Sequence, residues 1–338
     1  MGCVTERGPQ REIDYGLAPG ERFEPDEDDA PEPPFDPTQP HVMTVLGPIA
    51  PHELGLALPF EHVVRRPPGG DADQWLDDPQ AALAELEDIQ AAGARAVVDA
   101  TTADDGRDAA VVAWVAARAA VHVVMVTGAA DPAGRTAAAL TAEFVRDLRD
   151  GMEGTAVKAG AILIGMAGVE HRDELLLRAT ADAVGATGAP VLIEAASDTV
   201  APSLVAARER GLDPARIVVV VGEPDAGREA VTAQAAVETG AFVLLRGVGL
   251  AEPVRESARA TMVAALVGSG CGDRVLVSSG ARRRSQLRAY GGGSGQVATL
   301  ERFPLAAMEA GLNAHDVRRL LIDNPAQALT IVPANRGD

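Results

Sequence analysis

The stretch RDELLLRATADAVGATGAPVLIE, residues 172–194, contains the repeating unit from which the fold is read. Its first part, Arg172–Gly188, spaces leucine and alanine as a helix does and stops in small residues and a glycine, a helix stop signal. Pro190–Glu194 follows as a short apolar run. It is too short for a helix, and it is apolar on both faces, as a strand is when helices cover its sheet. The alternation recurs to either side. Candidate strands are Leu54–Leu58, Ala96–Thr101, Val121–Thr127, Val157–Ile164, Pro190–Glu194, Arg216–Val221, Ala241–Arg246 and Arg274–Ser279. Helical stretches such as PQAALAELEDIQAAG (79–93) and DAAVVAWVAARAA (108–120) lie between them. Eight strands alternating with helices predict a parallel sheet, and at 338 residues they predict a (β/α)8 TIM barrel ahead of an open doubly wound sheet. No G-x-G-x-x-G follows the first strand, and GGGSGQ (291–296) follows the last, so a dinucleotide fold lacks its signature.

Composition narrows the function classes. The chain is 47% apolar but only 3% aromatic, so its core is built from Ala, Val and Leu. A formal net charge of −19 repels phosphate backbones and anionic lipid, which argues against nucleic-acid and membrane-surface partners. No apolar run approaches the ~20 residues of a membrane helix. The opening MGCVTERGPQ carries no apolar signal stretch, so Cys3 and Cys271 are expected as reduced thiols in a cytoplasmic protein. Residues 1–40 hold 11 acidic residues, 3 basic residues and 8 prolines, a composition that cannot offset its ordering entropy by burial. They are expected to form a disordered acidic tail, with the barrel spanning residues 41–338.

The strand ends are where a barrel of this kind keeps its chemistry. Read in order, they resemble the phosphotriesterase-like family of the amidohydrolase superfamily. The likeness starts at VMTVLGPIAPHELGLALPFEHVV (42–64) and runs through VVDATTADDGRDAAVV (97–112), VVMVTG (123–128) and VKAGAILIGM (157–166). It continues in GAPVLIEAAS (188–197), GLDPARIVVVVGEPD (211–225), RVLVSSGARRRSQLRAYGGGSG (274–295) and DNPAQAL (323–329).

The resemblance implies two divalent metals at the barrel mouth. Their ligands would be two histidines of the first strand, a carboxylated lysine ending the fourth, histidines ending the fifth and sixth, and an aspartate ending the eighth. At these positions the chain carries Phe60, His62, Leu163, Glu194, Glu223 and Gly280, so only His62 is retained. Phe, Leu and Gly offer no side-chain ligand. Lys158, the only lysine, lies five residues before Leu163, and an odd offset on a strand turns it to the other face. Each lost ligand should cost at least the ~10–100-fold of a disturbed second-layer partner, so the pair of metals is not expected to form.

The replacements are charged. Arg246 ends the seventh strand, and Arg282, Arg283 and Arg284 follow the eighth. Arg246 and Arg282 can compensate Glu194 and Glu223 as ion pairs. Alternatively His62, Glu194 and Glu223 hold one divalent metal such as zinc. A third possibility is metal-free acid/base chemistry by the two carboxylates. The expected function is that of a pseudoenzyme without cofactor, serving binding, interaction or regulation, as a homodimer or with a paralogue. A small polar ligand at Glu194, Glu223, Arg246 and Arg282 fits the same residues. The rival is a hydrolase of esters, lactones or phosphoesters with a remodelled single-metal site of zinc or manganese. Asp99, Thr101, Thr102 and Gly106–Asp108 are read as loop architecture, and Ser278–Ser279 as lacking a nucleophile's context.

Overall fold

A computed structural model describes Asp36 and residues 38–132, 134–168, 170–222, 226–250 and 253–333. Of the expected tail only Asp36 and residues 38–40 fall among them, in a turn where the Thr38 N–H donates to Asp36 Oδ1 at 2.9 Å. Behind that turn His41 forms an antiparallel bridge with Ile331, so the two ends of the barrel segment are tied together.

A short hairpin, β1 (Val42–Thr44) and β2 (Gly47–Ile49), precedes eight strands that form one parallel sheet. These are β3 (Ala57–Glu61), β4 (Ala96–Asp99), β5 (His122–Ala129), β6 (Ala161–Met166), β7 (Val191–Ala195), β8 (Ile217–Val221), β9 (Phe242–Leu245) and β10 (Val275–Val277). Each pairs in parallel with the next, in chain order from β3 to β10. The edge strands then meet, Gly280 N–H donating to the Phe60 carbonyl at 3.1 Å, which rolls the sheet into a barrel.

A helix follows each barrel strand: α1 (Pro79–Ala91), α2 (Ala109–Ala119), α3 (Ala137–Arg149), α4 (Glu170–Thr187), α5 (Ser197–Glu209), α6 (Ala226–Glu238), α7 (Pro253–Leu266) and α8 (Ala298–Glu309). Asp78, Asp108 and Thr136 stand at the N-caps of the first three and accept from free amide groups of the first turn. Alternating strand residues divide the apolar core in two. Leu58, Val97, Val219 and Val243 pack outward against the helices. Phe60, Val98, Val126, Leu163, Leu192, Val220, Phe242 and Leu244 fill the lumen, with Val42, Leu54 and Leu329 packed on the same cluster. No helix among the described residues is long and apolar enough to cross a membrane.

Two expected strands sit elsewhere than anticipated. The first begins at Ala57 rather than Leu54, because Pro51–Leu54 form a helical turn in which Glu53 accepts from the Ala50 N–H at 2.6 Å. The fourth begins at Ala161 rather than Val157. Ala159 N–H donates to the Asp147 carbonyl, and Met152 N–H takes the Val157 carbonyl, so a loop claims the groups a strand would need. Lys158 therefore lies in that loop, half-buried, and strand alternation does not govern where it points.

Candidate functional site

The end of β3 carries Phe60, Glu61 and His62, all buried. Phe60 fills the lumen and stands at right angles to the His62 ring, with ring centroids 5.8 Å apart. Glu61 turns to the seam with β10. Its Oε1 accepts from Ser278 Oγ and Ser279 N–H, both at 2.8 Å, and its Oε2 accepts from Ser279 Oγ and from Ala281 N–H at 3.3 Å. Ser278 Oγ in turn accepts from the Phe60 N–H at 3.0 Å. Burial pushes the Glu61 carboxyl up to about 7 despite these donors.

His62 is joined to β4 by a relay. Its Nδ1 lies 2.9 Å from Thr101 Oγ1, which donates to Asp99 Oδ1 at 2.6 Å. Asp99 Oδ1 also accepts the backbone N–H of Thr101 and of Val63, at 3.2 and 3.4 Å. Oδ2 has no partner among the described residues, and burial pushes this carboxyl up to about 7 as well. Burial, with Arg65, Arg282 and Arg246 nearby, holds the His62 imidazole well below its usual range.

A cavity of about 220 Å³ opens at this end of the barrel, its wall including His62, Arg65, Asp104, Leu163, Glu194 and Arg282. Glu194 follows β7's apolar run and is ion-paired closely to Arg246, with Arg282 3.8 Å away on the same oxygen. Arg246 crosses two glycines. A Cβ on Gly222 would lie 2.2 Å from its Cγ, and one on Gly280, in the left-handed region at φ +59°, would lie 3.1 Å from its Cβ. A side chain at Gly222 would displace the arginine, and one at Gly280 would crowd it in a backbone conformation that side chains rarely adopt. Arg65 grips Asp105 with two nitrogens, and Asp104 accepts from Thr102 Oγ1, Ala130 N–H and Asp131 N–H. Among the described residues no three His, Cys, Asp or Glu side chains are gathered as a metal would need.

The structure thus brings His62, Leu163, Glu194, Arg246 and Arg282 together, with Phe60 and Gly280 beside them. Glu223 lies outside the described residues. The arginine cluster after β10 divides. Arg282 faces the cavity, whereas Arg283 pairs with Asp73, and Arg284 pairs with Asp77 and stacks on Tyr290. The segment read as loop architecture supplies both the Thr101 relay and cavity wall at Thr102 and Asp105. Arg107 within it is buried, bonded to Asp147, Glu153 and the Val126 carbonyl. Sequence reasoning passed over Glu61 and Arg65. An acid in an otherwise apolar strand was the available signal for Glu61, but its serine partners are over 200 residues away and become neighbours only when the barrel closes.

Comparison with known proteins agrees with this architecture. The model of the phosphotriesterase family matches residues 40–329. The phosphotriesterase homology protein of Escherichia coli is 28% identical over 268 residues, covering 76% of this chain and 91% of its own. The N-acetyltaurine hydrolase of Rattus norvegicus is 26% identical over 343 residues, covering 86% and 97%. Among solved structures, a lactonase from Listeria monocytogenes superposes with a TM-score of 0.76 at 26% identity, covering 86% of this chain and 99% of that one. The barrel, the order of its strand-end motifs and a match across most of its length lead to one conclusion: the chain belongs to the phosphotriesterase family.

Proposed function

We propose that this chain is a pseudoenzyme of its family, a barrel whose mouth binds rather than hydrolyses. The observation that carries the reading is Arg246, stretched across Gly222 and Gly280 with its guanidinium on Glu194. Two of the positions where the family resemblance would place metal ligands hold Phe60 and Leu163, packed in the apolar lumen, and a third is a glycine under the arginine. A fourth, Glu194, has its charge answered by Arg246 and Arg282, and a cation there would face both guanidiniums. This donor set does not fit a pair of divalent metals. Water activation and carbonyl or phosphoryl polarisation by such a pair therefore form no part of the mechanism we assign.

What the chain's own residues do is hold a preformed mouth. Neutral His62 is oriented by Thr101 and Asp99, Glu194 is fixed by Arg246, and Arg65 is fixed by Asp105. The proposed role is to bind a small polar ligand, or to serve as an interaction subunit with a second copy or a paralogue. The test is elemental analysis of protein purified with added zinc and manganese, together with assays on lactones, esters and phosphotriesters. We expect well under one ion per chain and no turnover above buffer.

A second reading rests on the relatives. One solved structure of similar fold is a lactonase, and curated relatives are N-acetyltaurine hydrolases. In that reading His62, Glu194 and Glu223 retain one metal and the chain hydrolyses an ester, lactone or phosphoester. Near-stoichiometric metal with turnover abolished by Glu194→Ala would establish it and end the first.

A further inference from the structure

Two loops at the rim of the mouth are built into each other. The segment after β3, residues 65–78, closes at a neck where Arg65 and Leu76 exchange backbone hydrogen bonds at 3.0 and 2.7 Å. The segment after β10, residues 281–290, lies against it. Leu76 of the first and Ala281 and Leu287 of the second form an apolar cluster apart from the lumen and helix-side clusters, with Leu250 and Tyr290 packed on its edge. Polar contacts cross the same boundary. Asp73 accepts from the Ser285 N–H at 2.8 Å and from Ser285 Oγ at 3.0 Å, and it pairs with Arg283. The Arg284 guanidinium reaches the Trp75 carbonyl at 2.6 Å and Asp77 at 2.8 Å. Asp78 N–H donates to the Tyr290 hydroxyl at 3.2 Å.

This pair of loops has pinned ends and one fastening across the mouth. Glu61 and Glu85 hold the second loop near its limits, accepting from Ala281 N–H at 3.3 Å and Ala289 N–H at 2.8 Å. Gly280 and Gly291, at φ +59° and +72°, flank that loop and suit places where the backbone pivots. The fastening comes from the first loop. Arg65 grips Asp105 of the β4–α2 loop with two nitrogens, and Arg66 N–H donates to the Gly106 carbonyl at 3.1 Å. Arg65 and Arg282, one from each loop, both form cavity wall, and Arg65 Nη1 lies 3.4 Å from the Arg282 carbonyl. Moving one loop alone would expose Leu76 and Leu287 to water and break every cross-contact. Moving both together keeps the cluster buried and gives up only the fastening.

We propose that residues 65–78 and 281–290 form a single strap over the barrel mouth, opening and closing as one body and latched by Arg65 on Asp105. When the latch parts, both cavity-wall arginines swing away together and the cavity opens to solvent. The strap governs access rather than occupancy, so it stands whichever reading of the mouth's chemistry holds.

The test is residue-resolved hydrogen exchange on the full-length protein near pH 7. The Leu76 and Ser285 amides, one from each loop, should open with equilibrium constants equal within about twofold, and at least about tenfold more readily than the amides of β7 and β8. Asp105→Asn, which takes the charge from the latch, should speed both loops by one common factor of about tenfold while leaving β7 and β8 unchanged. Should Asp105→Asn not fold, Arg65→Lys, which keeps the charge but loses the two-pronged grip, carries the same expectation. Access is read separately. A thiol placed in the cavity wall by Leu163→Cys, with Cys3 and Cys271 replaced by serine, should be alkylated by iodoacetamide about tenfold faster when Asp105→Asn is added. Unrelated opening constants for the two loops, acceleration confined to residues 65–78, exchange of both loops only together with the barrel strands, or an alkylation rate indifferent to Asp105→Asn would overturn the proposal.

Discussion

Two acidic side chains at the same end of the barrel are neutralised in opposite ways. At the β3–β10 seam, Glu61 is buried and meets only neutral donors, two serine hydroxyls and two backbone N–H groups. At the mouth, Glu194 keeps a third of its side chain exposed and meets two guanidiniums. Neutral donors around a buried acid make it a fastener, because removing it strands several polar groups out of reach of water. A half-exposed acid held by arginine is fixed more cheaply, since water supports both partners when the pair is broken. The seam therefore carries stability, and the mouth is left adaptable. This division explains how a barrel can keep its shape while the residues of its opening are exchanged.

The largest effect expected is at the fastener. Glu61→Ala should lower unfolding free energy by about 3–5 kcal/mol in urea denaturation, because it leaves the two seam serine hydroxyls and the Ser279 N–H without their acceptor. A loss below about 1 kcal/mol would show that the seam closes without it. Next comes pH. Glu61, raised to about 7 from 4.5, binds its proton more tightly in the folded state, so the folded state holds more protons between these values. Its stabilising contribution is complete below about pH 4.5 and is lost as pH rises through 7, a swing of up to about 3 kcal/mol. Asp99, raised to about 7 from 3.8, acts in the same sense. The thermal midpoint should thus be higher at pH 5.5 than at pH 8, and Glu61→Gln should flatten that slope. An unchanged slope in the variant would assign it to the general charge excess instead.

The mouth should respond less. Arg246→Met removes the close partner of Glu194 but leaves Arg282 and solvent, so a cost of about 1 kcal/mol is expected in the same denaturation experiment. A cost as large as that of Glu61→Ala would erase the distinction between the two regions. Smallest of all, Arg282→Met should shift stability by less than about 0.5 kcal/mol, since its side chain is half exposed and its ion pair long.

How much of this could be read in advance depends on the range of the interaction. Strand and helix order followed from local periodicity, and errors arose where a loop outbid a strand, as at Pro51–Leu54 and around Val157–Ala159. The positions of Phe60, Leu163 and Gly280 were fixed by their place at strand ends. Arg283 and Arg284 look identical to Arg282 in sequence, but they are drawn away by Asp73 and Asp77, which a linear reading does not place beside them.

The sequence by itself determined the barrel, the family and the chemical poverty of Phe60, Leu163 and Gly280, because hydrophobic period and side-chain chemistry are properties of single residues and their near neighbours. Only the tertiary structure decided that Glu61 binds the seam serines, that Thr101 and Asp99 are joined to the His62 imidazole, and that Arg246 lies over two glycines. Those are contacts between strand ends far apart along the chain, and a short-range hydrogen bond exists only once closure of the sheet has brought its donor and acceptor to within about 3 Å.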